Sequence, residues 1–163
     1  MLLTLADGTT VHVRPIVPED KPRLVAGLRN LSSESAYRRF LSPKVSFSPA
    51  ELRYLTEVDQ RDHIALVALI DDVLVAVARC VRVDAETADI AVVVGDPWQG
   101  LGLGRALGGL VAEKARAQGV KRIAGTMLAG NGPAFHLMRG FGTHIDHDET
   151  SHGVREIVTR LAA

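Results

Sequence analysis

Cysteine is nearly absent from this sequence, and the other scarcities narrow its class as sharply. The single cysteine, Cys80, cannot close an internal disulfide. Its apolar, strand-like surroundings suit a small buried hydrophobe rather than a nucleophile. Acidic and basic residues balance at 19 each, with no long run of either sign. No basic surface for nucleic acid is therefore expected, and no attraction to an anionic membrane. No apolar stretch approaches the ~20 residues that span a bilayer. The start, Met1-Leu2-Leu3-Thr4-Leu5-Ala6, has no basic flank and is too short for a signal-peptide core. The expectation is one cytoplasmic domain over residues 1–163, long enough to bury a core without staples.

Glycine is plentiful, and its most informative cluster is Val92-Val93-Val94-Gly95-Asp96-Pro97-Trp98-Gln99-Gly100-Leu101-Gly102-Leu103-Gly104-Arg105. A β-branched run predicts a strand, the Gly/Asp/Pro cluster ends it, and glycines at every second position open an apolar-periodic helix. Such a junction binds anions. The first helical N–H groups lack intrahelical partners, the dipole is positive there, and glycine lets backbone close on phosphate oxygens. A P-loop would need Lys-Ser/Thr after the last glycine, where Arg105-Ala106 stands. A dinucleotide fold would need G-x-G-x-x-G and an acid about 20 residues on, and this chain has neither.

Around this junction the chain reads as alternating elements. Leu2–Leu5 and Thr10–Arg14 flank an Asp7-Gly8 hairpin turn. Glu19-Asp20 put acid at the start of a helix to about Asn30, with Leu24, Val25 and Leu28 inward. Ser33–Phe40 forms a second helix. Ser48-Pro49-Ala50-Glu51 is a capping box that launches Ala50–Val58. Strands follow at His63–Ile70, Val73–Val83 and Thr87–Val94. The loop helix covers Leu103–Gln118 and Gly119 ends it. Arg122–Leu128 is a strand, Pro133–Phe141 a helix, and Thr143–Asp148 with Val154–Leu161 a closing pair.

The spacing Gln99-x-x-Gly102-x-Gly104 resembles the Q/R-x-x-G-x-G/A pyrophosphate loop of the GNAT superfamily of acyl-CoA-dependent N-acyltransferases. Asn131, 27 residues after Gly104, with Ala134, Leu137 and Gly142 looks like that superfamily's second signature. Met138 stands where many members have Tyr, and Thr143 where they have Phe. The order of elements matches along the whole chain. Val13-Arg14-Pro15, Pro18-Glu19-Asp20, Ser35-Ala36-Tyr37-Arg38-Arg39-Phe40-Leu41 and Leu52-Arg53-Tyr54-Leu55 are similar to the acetyltransferase domain of bacterial Pat-type protein lysine acetyltransferases. That domain is often fused to an acyl-CoA-synthetase-like or cyclic-nucleotide-binding domain. Neither is in this sequence, so a stand-alone domain is expected.

The resemblance implies an α/β (α+β) GNAT fold. Its mixed central sheet has about seven strands, helices on both faces, and a splay between the fourth and fifth main strands, Thr87–Val94 and Arg122–Leu128. It implies acetyl-CoA as cosubstrate and an amine acceptor, most readily a protein lysine. A small-molecule amine, or a non-catalytic acyl-CoA-binding module, are the alternatives. The implied pyrophosphate site is Gln99, Gly100, Leu101, Gly102, Leu103, Gly104 and Arg105. Backbone groups of Val92, Val93 and Val94, exposed by the splay, and Asn131 would meet pantetheine, and an N–H near Val93 would meet the developing oxyanion. The alternative role for Asn131 is turn capping.

Asp89 occupies the place where the Pat-like group carries a catalytic Glu, and is the candidate base; a solvated strand-start residue is the alternative. Glu86 reads as a hairpin-tip charge. Met138 cannot donate a proton, which leaves the general acid open, and Tyr37 and Tyr54 read as core-edge aromatics. Arg38-Arg39 line an acceptor groove or form a solvated helix face. His63 reads as structural. His144 and His147 are odd-spaced, which puts them on opposite strand faces, and no metal site is expected. The assembly is a monomer or homodimer, with no nucleic-acid or membrane partner.

Overall fold

The computed structural model describes all residues 1–163. Eight strands form one sheet: β1 Leu2–Thr4, β2 Thr10–Pro15, β3 His63–Ile70, β4 Val73–Arg82, β5 Thr87–Val94, β6 Arg122–Leu128, β7 Gly142–Ser151 and β8 Val154–Leu161. Their spatial order is β1-β2-β3-β4-β5-β6-β8-β7. The count exceeds the expected seven because the short β1 pairs with β2 as a strand of its own, through Leu2↔His12 to Thr4↔Thr10. The helices are α1 Lys21–Asn30, α2 Ser33–Phe40, α3 Pro49–Thr56, α4 Leu103–Ala117 and α5 Gly132–Gly140. No helix is long and apolar enough to cross a membrane.

The two central strands explain the layering. β3 and β4 are almost unbroken apolar runs buried on both faces, the pattern of strands covered on both sides. Ile64, Leu66, Ala68, Ala76, Ala78 and Cys80 pack toward α4 through Leu103, Leu107, Val111 and Ala115. Each fully buried leucine or valine there contributes about 1.5–3 kcal/mol. Ala65, Val67, Leu69 and Val77 pack the other face with Leu24, Leu52 and Leu55 of α1 and α3.

Three local readings change in the structure. The acids before α1 do more than meet a helix dipole. A single 3-10 turn covers Pro18–Asp20, and the fully buried Asp20 accepts two hydrogen bonds from Arg14, at 2.7 and 2.8 Å. Arg23 and the Val17 amide also donate to it. Burial pushes this carboxyl up, but the hydrogen bonds and charges of these partners hold it below its ordinary value. Secondly, α3 stops at Thr56, whose hydroxyl donates back to Leu52 O at 2.7 Å.

Thirdly, the parity argument for the histidines fails. A bulge between Ile145 and His147 leaves Asp146 without a partner on β8, so His144 pairs with Arg160 and His147 with Val158. Arg160 and Val158 lie two apart, which brings both histidines to one face. Both are exposed and lie near Asp146, Glu149 and Glu156 at 3.5–3.7 Å. No group of three or more His, Cys, Asp or Glu side chains is gathered tightly enough to hold a metal ion.

The feature that positions the site is the junction of β5 and β6, the one parallel neighbour pair in the sheet. Pairing runs through Thr87↔Arg122, Ala88↔Ile123 and Asp89↔Ala124, then stops. β5 continues to Val94 along β4 alone. Ile90 through Val94 therefore have an unpaired backbone edge toward β6, as the expected splay requires.

Candidate acyl-CoA and acceptor site

At the C-terminal end of β5 the chain turns through Asp96–Trp98 and enters α4. The Trp98 ring packs directly over Gly95, where a β-carbon would lie 2.8 Å from it. Gly100 and Gly102 have φ of +77° and +87°, a conformation that costs an L-residue about 1–2 kcal/mol. Gly102 is the N-cap of α4. The consequence is a row of six consecutive amides, Gly100 through Arg105, none of which donates to any protein acceptor; the first helical bond is Ala106 N to Gly102 O. Leu103 anchors the row in the core, and Leu101 O accepts from Ala6 N at 3.2 Å. Arg105 is exposed beside them. Six fixed donors at a positive helix end, with a cation adjacent, form a cradle for a diphosphate.

Gln99 contributes to the shape of this cradle rather than to its lining. Its amide nitrogen donates to Val94 O at 2.9 Å and to Ser35 Oγ at 3.1 Å, tying the loop to α2. A second tie runs from Ser32 N to Asp96 Oδ1. Val92 and Val94 pack toward α4, at Gly104, and Val93 toward α1 and α3. What these valines offer a ligand is backbone.

Across the splay, a cleft of about 420 Å³ is lined by Glu34, Tyr37 and Arg38 of α2, by Leu128 at the end of β6, and by Gly130 and Asn131 after it. Asn131 Oδ1 caps α5, accepting from Ala134 N at 3.2 Å. Its NH₂ has no protein partner and borders the cleft. Tyr37 and Tyr54, expected at the edge of the core, are 41% and 58% exposed, and Tyr37 lines this cleft. Met138 is 2% exposed, with its sulfur against Gly125 of β6, so its side chain is packing.

Asp89 sits at the last paired row of the splay, between Val81 of β4 and Ala124 of β6. Burial raises its carboxyl above the ordinary value, and the Glu156 charge adds to the shift. Glu156 lies opposite Thr126 on β8. It was not singled out from the sequence because nothing in a closing strand marks one acid among several. Glu86 is engaged elsewhere: Lys121 and Arg122 hold it at 3.0 and 3.3 Å, and the Lys121 hydrogen bond leads in lowering its carboxyl.

The half-buried His63 and the buried Arg79 are in contact on the sheet face that carries Asp89. Arg79 Nη1 lies 2.9 Å from His63 Nε2 and donates to Leu55 O at 3.0 Å. Burial first, then the Arg79 charge, lowers His63 to about 4. The imidazole is therefore neutral at ordinary pH and able to accept. Cys80 faces the α4 side, and burial, followed by the Asp89 charge, pushes its thiol up to about 12.

Residues 27–143 match the model of the acetyltransferase (GNAT) family. The chain belongs to that family. The GNAT domain of S. lividans PAT superposes with a TM-score of 0.90 at 30% identity, covering 99% of this chain and 96% of that one. The acetyltransferase Pat of Mycolicibacterium smegmatis is 38% identical over 128 residues, 76% of this chain. This GNAT chain spans only 38% of that protein's length. An acetyltransferase of Pseudomonas aeruginosa is 31% identical, over 98% of this chain and 87% of its own.

Proposed function

We propose that this chain is a single acetyl-CoA-dependent N-acetyltransferase domain and that its acceptor is a protein lysine. One observation carries the reading: six partnerless amides at the start of α4 adjoin the unpaired edge of β5. A diphosphate on the former leaves a pantetheine arm free to pair along the latter, and the thioester then comes to rest near Asp89. The resemblance of Ser35–Leu41 and Leu52–Leu55 to Pat-type protein lysine acetyltransferases is what supports lysine as the acceptor, and an acetyltransferase Pat is among the relatives. The cleft, at about 420 Å³, is of small-molecule size and supports a small amine as the second reading.

Acetyl-CoA supplies an acetyl thioester. The acceptor nitrogen bonds to its carbonyl carbon, the carbon–sulfur bond breaks, and the thiolate leaves with the electron pair. Before attack Asp89 takes one proton from the ammonium, directly or through one water, which frees the lone pair; the second proton leaves the nitrogen as the carbon–sulfur bond breaks and passes to the thiolate or to solvent. A lysine amine has a reference pKa of about 10.4 and is charged at neutral pH, so a proton acceptor is needed. An Asp is one methylene shorter than a Glu, which favours the water. A backbone N–H near Val93, on the unpaired edge, is placed to meet charge on the carbonyl oxygen. The leaving thiol, with a pKa of about 8.5 as for cysteine, departs without a strong acid.

The test is incubation of the protein with acetyl-CoA and a lysine peptide. Acetyl-peptide and free CoA should appear in equal amounts. CoA binding without transfer to any amine would identify a non-catalytic module instead.

A further inference from the structure

This protein pairs its buried acid carefully, and leaves a buried base without an acid. Asp20 has two arginines. Arg79, only 5% exposed, has no carboxylate within 4 Å, and neither does Arg39. Arg79 stands on β4 between Ala65 of β3 and Ala91 of β5, small residues that leave room for a guanidinium on the sheet. Its Nη1 is used by Leu55 O and His63 Nε2, while Nε and Nη2 meet no protein acceptor. Arg39, on α2, has no hydrogen-bond partner; its guanidinium lies 4.7 Å from the centre of the neighbouring Phe40 ring. The two cations repel each other. Burial first and the Arg39 charge second bring Arg79 down to about 9, and burial also lowers Arg39. Arg39 is only half-buried, and no partnerless nitrogen of Arg79 is fully buried, so the free donors face accessible space, where an anion would offset two like charges.

Register relates this pair to the reaction. Arg79 and Ala91 form one row of the β4–β5 ladder, and Val81 and Asp89 the next row on that face. Diagonal neighbours of this kind lie about 7–8 Å apart. We propose that Arg79 and Arg39 form a carboxylate-binding subsite of the acceptor site, so that the preferred amine carries a carboxylate close to the reacting nitrogen. The inference rests on the acetyl-transfer reading above. A guanidinium with two free donors matches a carboxylate fork. Asp89 and Glu156 on the same face favour a single negative charge over a phosphate dianion. The carboxylate belongs either to a free amino acid or to an acidic residue beside the target lysine, and the chemistry at the arginines is the same.

The experiment compares four acceptors: free lysine, lysine amide, a peptide with Glu next to its lysine, and the same peptide with Gln there. In the parent protein one carboxylate-bearing member of a pair should have a KM lower by about 10-fold, equivalent to ~1.4 kcal/mol. An advantage for free lysine assigns the α-carboxylate; an advantage for the Glu peptide assigns a side chain. Arg39→Gln should bring that ratio to about one, while the Kd for CoA, measured without acceptor, reports that the variant is folded. Arg39 is the better probe because Arg79 also supports His63 and α3. Equal KM values within both pairs would overturn the subsite and leave acetyl transfer standing. Should no amine be acetylated, the transfer reading fails. Binding of Nε-acetyl-lysine against its amide to the CoA-loaded protein then decides the subsite, with equal affinities overturning it.

Discussion

The start of α4 and the proposed acceptor face of β4 and β5 are built by opposite means. The cradle at Gly100–Arg105 is backbone: six adjacent amides, two glycines at positive φ, and one buried leucine that fixes them. The acceptor face is side chain. Asp89 comes from β5, Arg79 from β4, His63 from β3, Arg39 from α2 and Glu156 from β8. A diphosphate is the same in every ligand that carries it, and a contiguous strip of backbone can hold it. An acceptor differs from enzyme to enzyme, and only side chains delivered by separate elements can be exchanged without disturbing the strip.

The comparison breaks most visibly at Asp89. Asp89→Asn should lower kcat by about 10²- to 10⁴-fold, the usual worth of a general base, and leave the Kd for CoA unchanged. Asp89→Glu should recover most of that loss. A parent-like kcat for Asp89→Asn across pH would reduce the carboxylate to a solvated strand-start charge. The converse variant is Gly102→Val. A β-carbon there meets no protein atom within 4 Å, so the side chain would enter ligand space, besides straining a φ of +87°. The Kd for CoA should rise by about 10-fold or more, with a much smaller change in KM for the acceptor at saturating CoA. Unchanged affinity in a folded variant would remove the cradle from the site.

The two regions should also differ in their response to acid. His63 has a folded pKa of about 4 against an ordinary 6.5, so between those values the unfolded chain binds more protons than the folded one. Stability from this residue is complete above pH 6.5 and is lost as pH falls toward 4. Denaturant titrations over that window should show the decline, and His63→Gln should flatten it. The cradle is built of backbone and contributes nothing to this decline. The smallest effect is expected at Met138. Because it only packs against β6, Met138→Leu should cost less than about 1.5 kcal/mol and leave kcat within a factor of about two. A large loss of kcat would give this position a part in proton transfer.

What was legible in the sequence follows the same division. Gly100, Gly102 and Gly104 after a valine run specify strand, turn and helix start locally, so the cradle could be read from adjacent letters. The splay was implied by the likeness around Asn131 and Ala134, and the backbone pairing then showed where it opens. Side-chain sites were harder. Arg79 interrupts the apolar run from Val73 to Val83, a signal that a charged residue was meant to be buried, but its neighbours Arg39 and His63 are distant in sequence. The bulge at Asp146 has no mark in the sequence, and one inserted residue was enough to reverse the parity of His144 and His147. Gln99 fits the loop pattern, yet its bonds to Ser35 and Val94 depend on where α2 docks.

The most direct test of the central claim is a titration of ¹⁵N-labelled protein with CoA, followed at the backbone amides. The account predicts that the largest shifts fall on Gly100 through Arg105, the six amides without a protein acceptor, and on the unpaired edge Ile90–Val94. Shifts concentrated elsewhere, or none at saturating CoA, would contradict it.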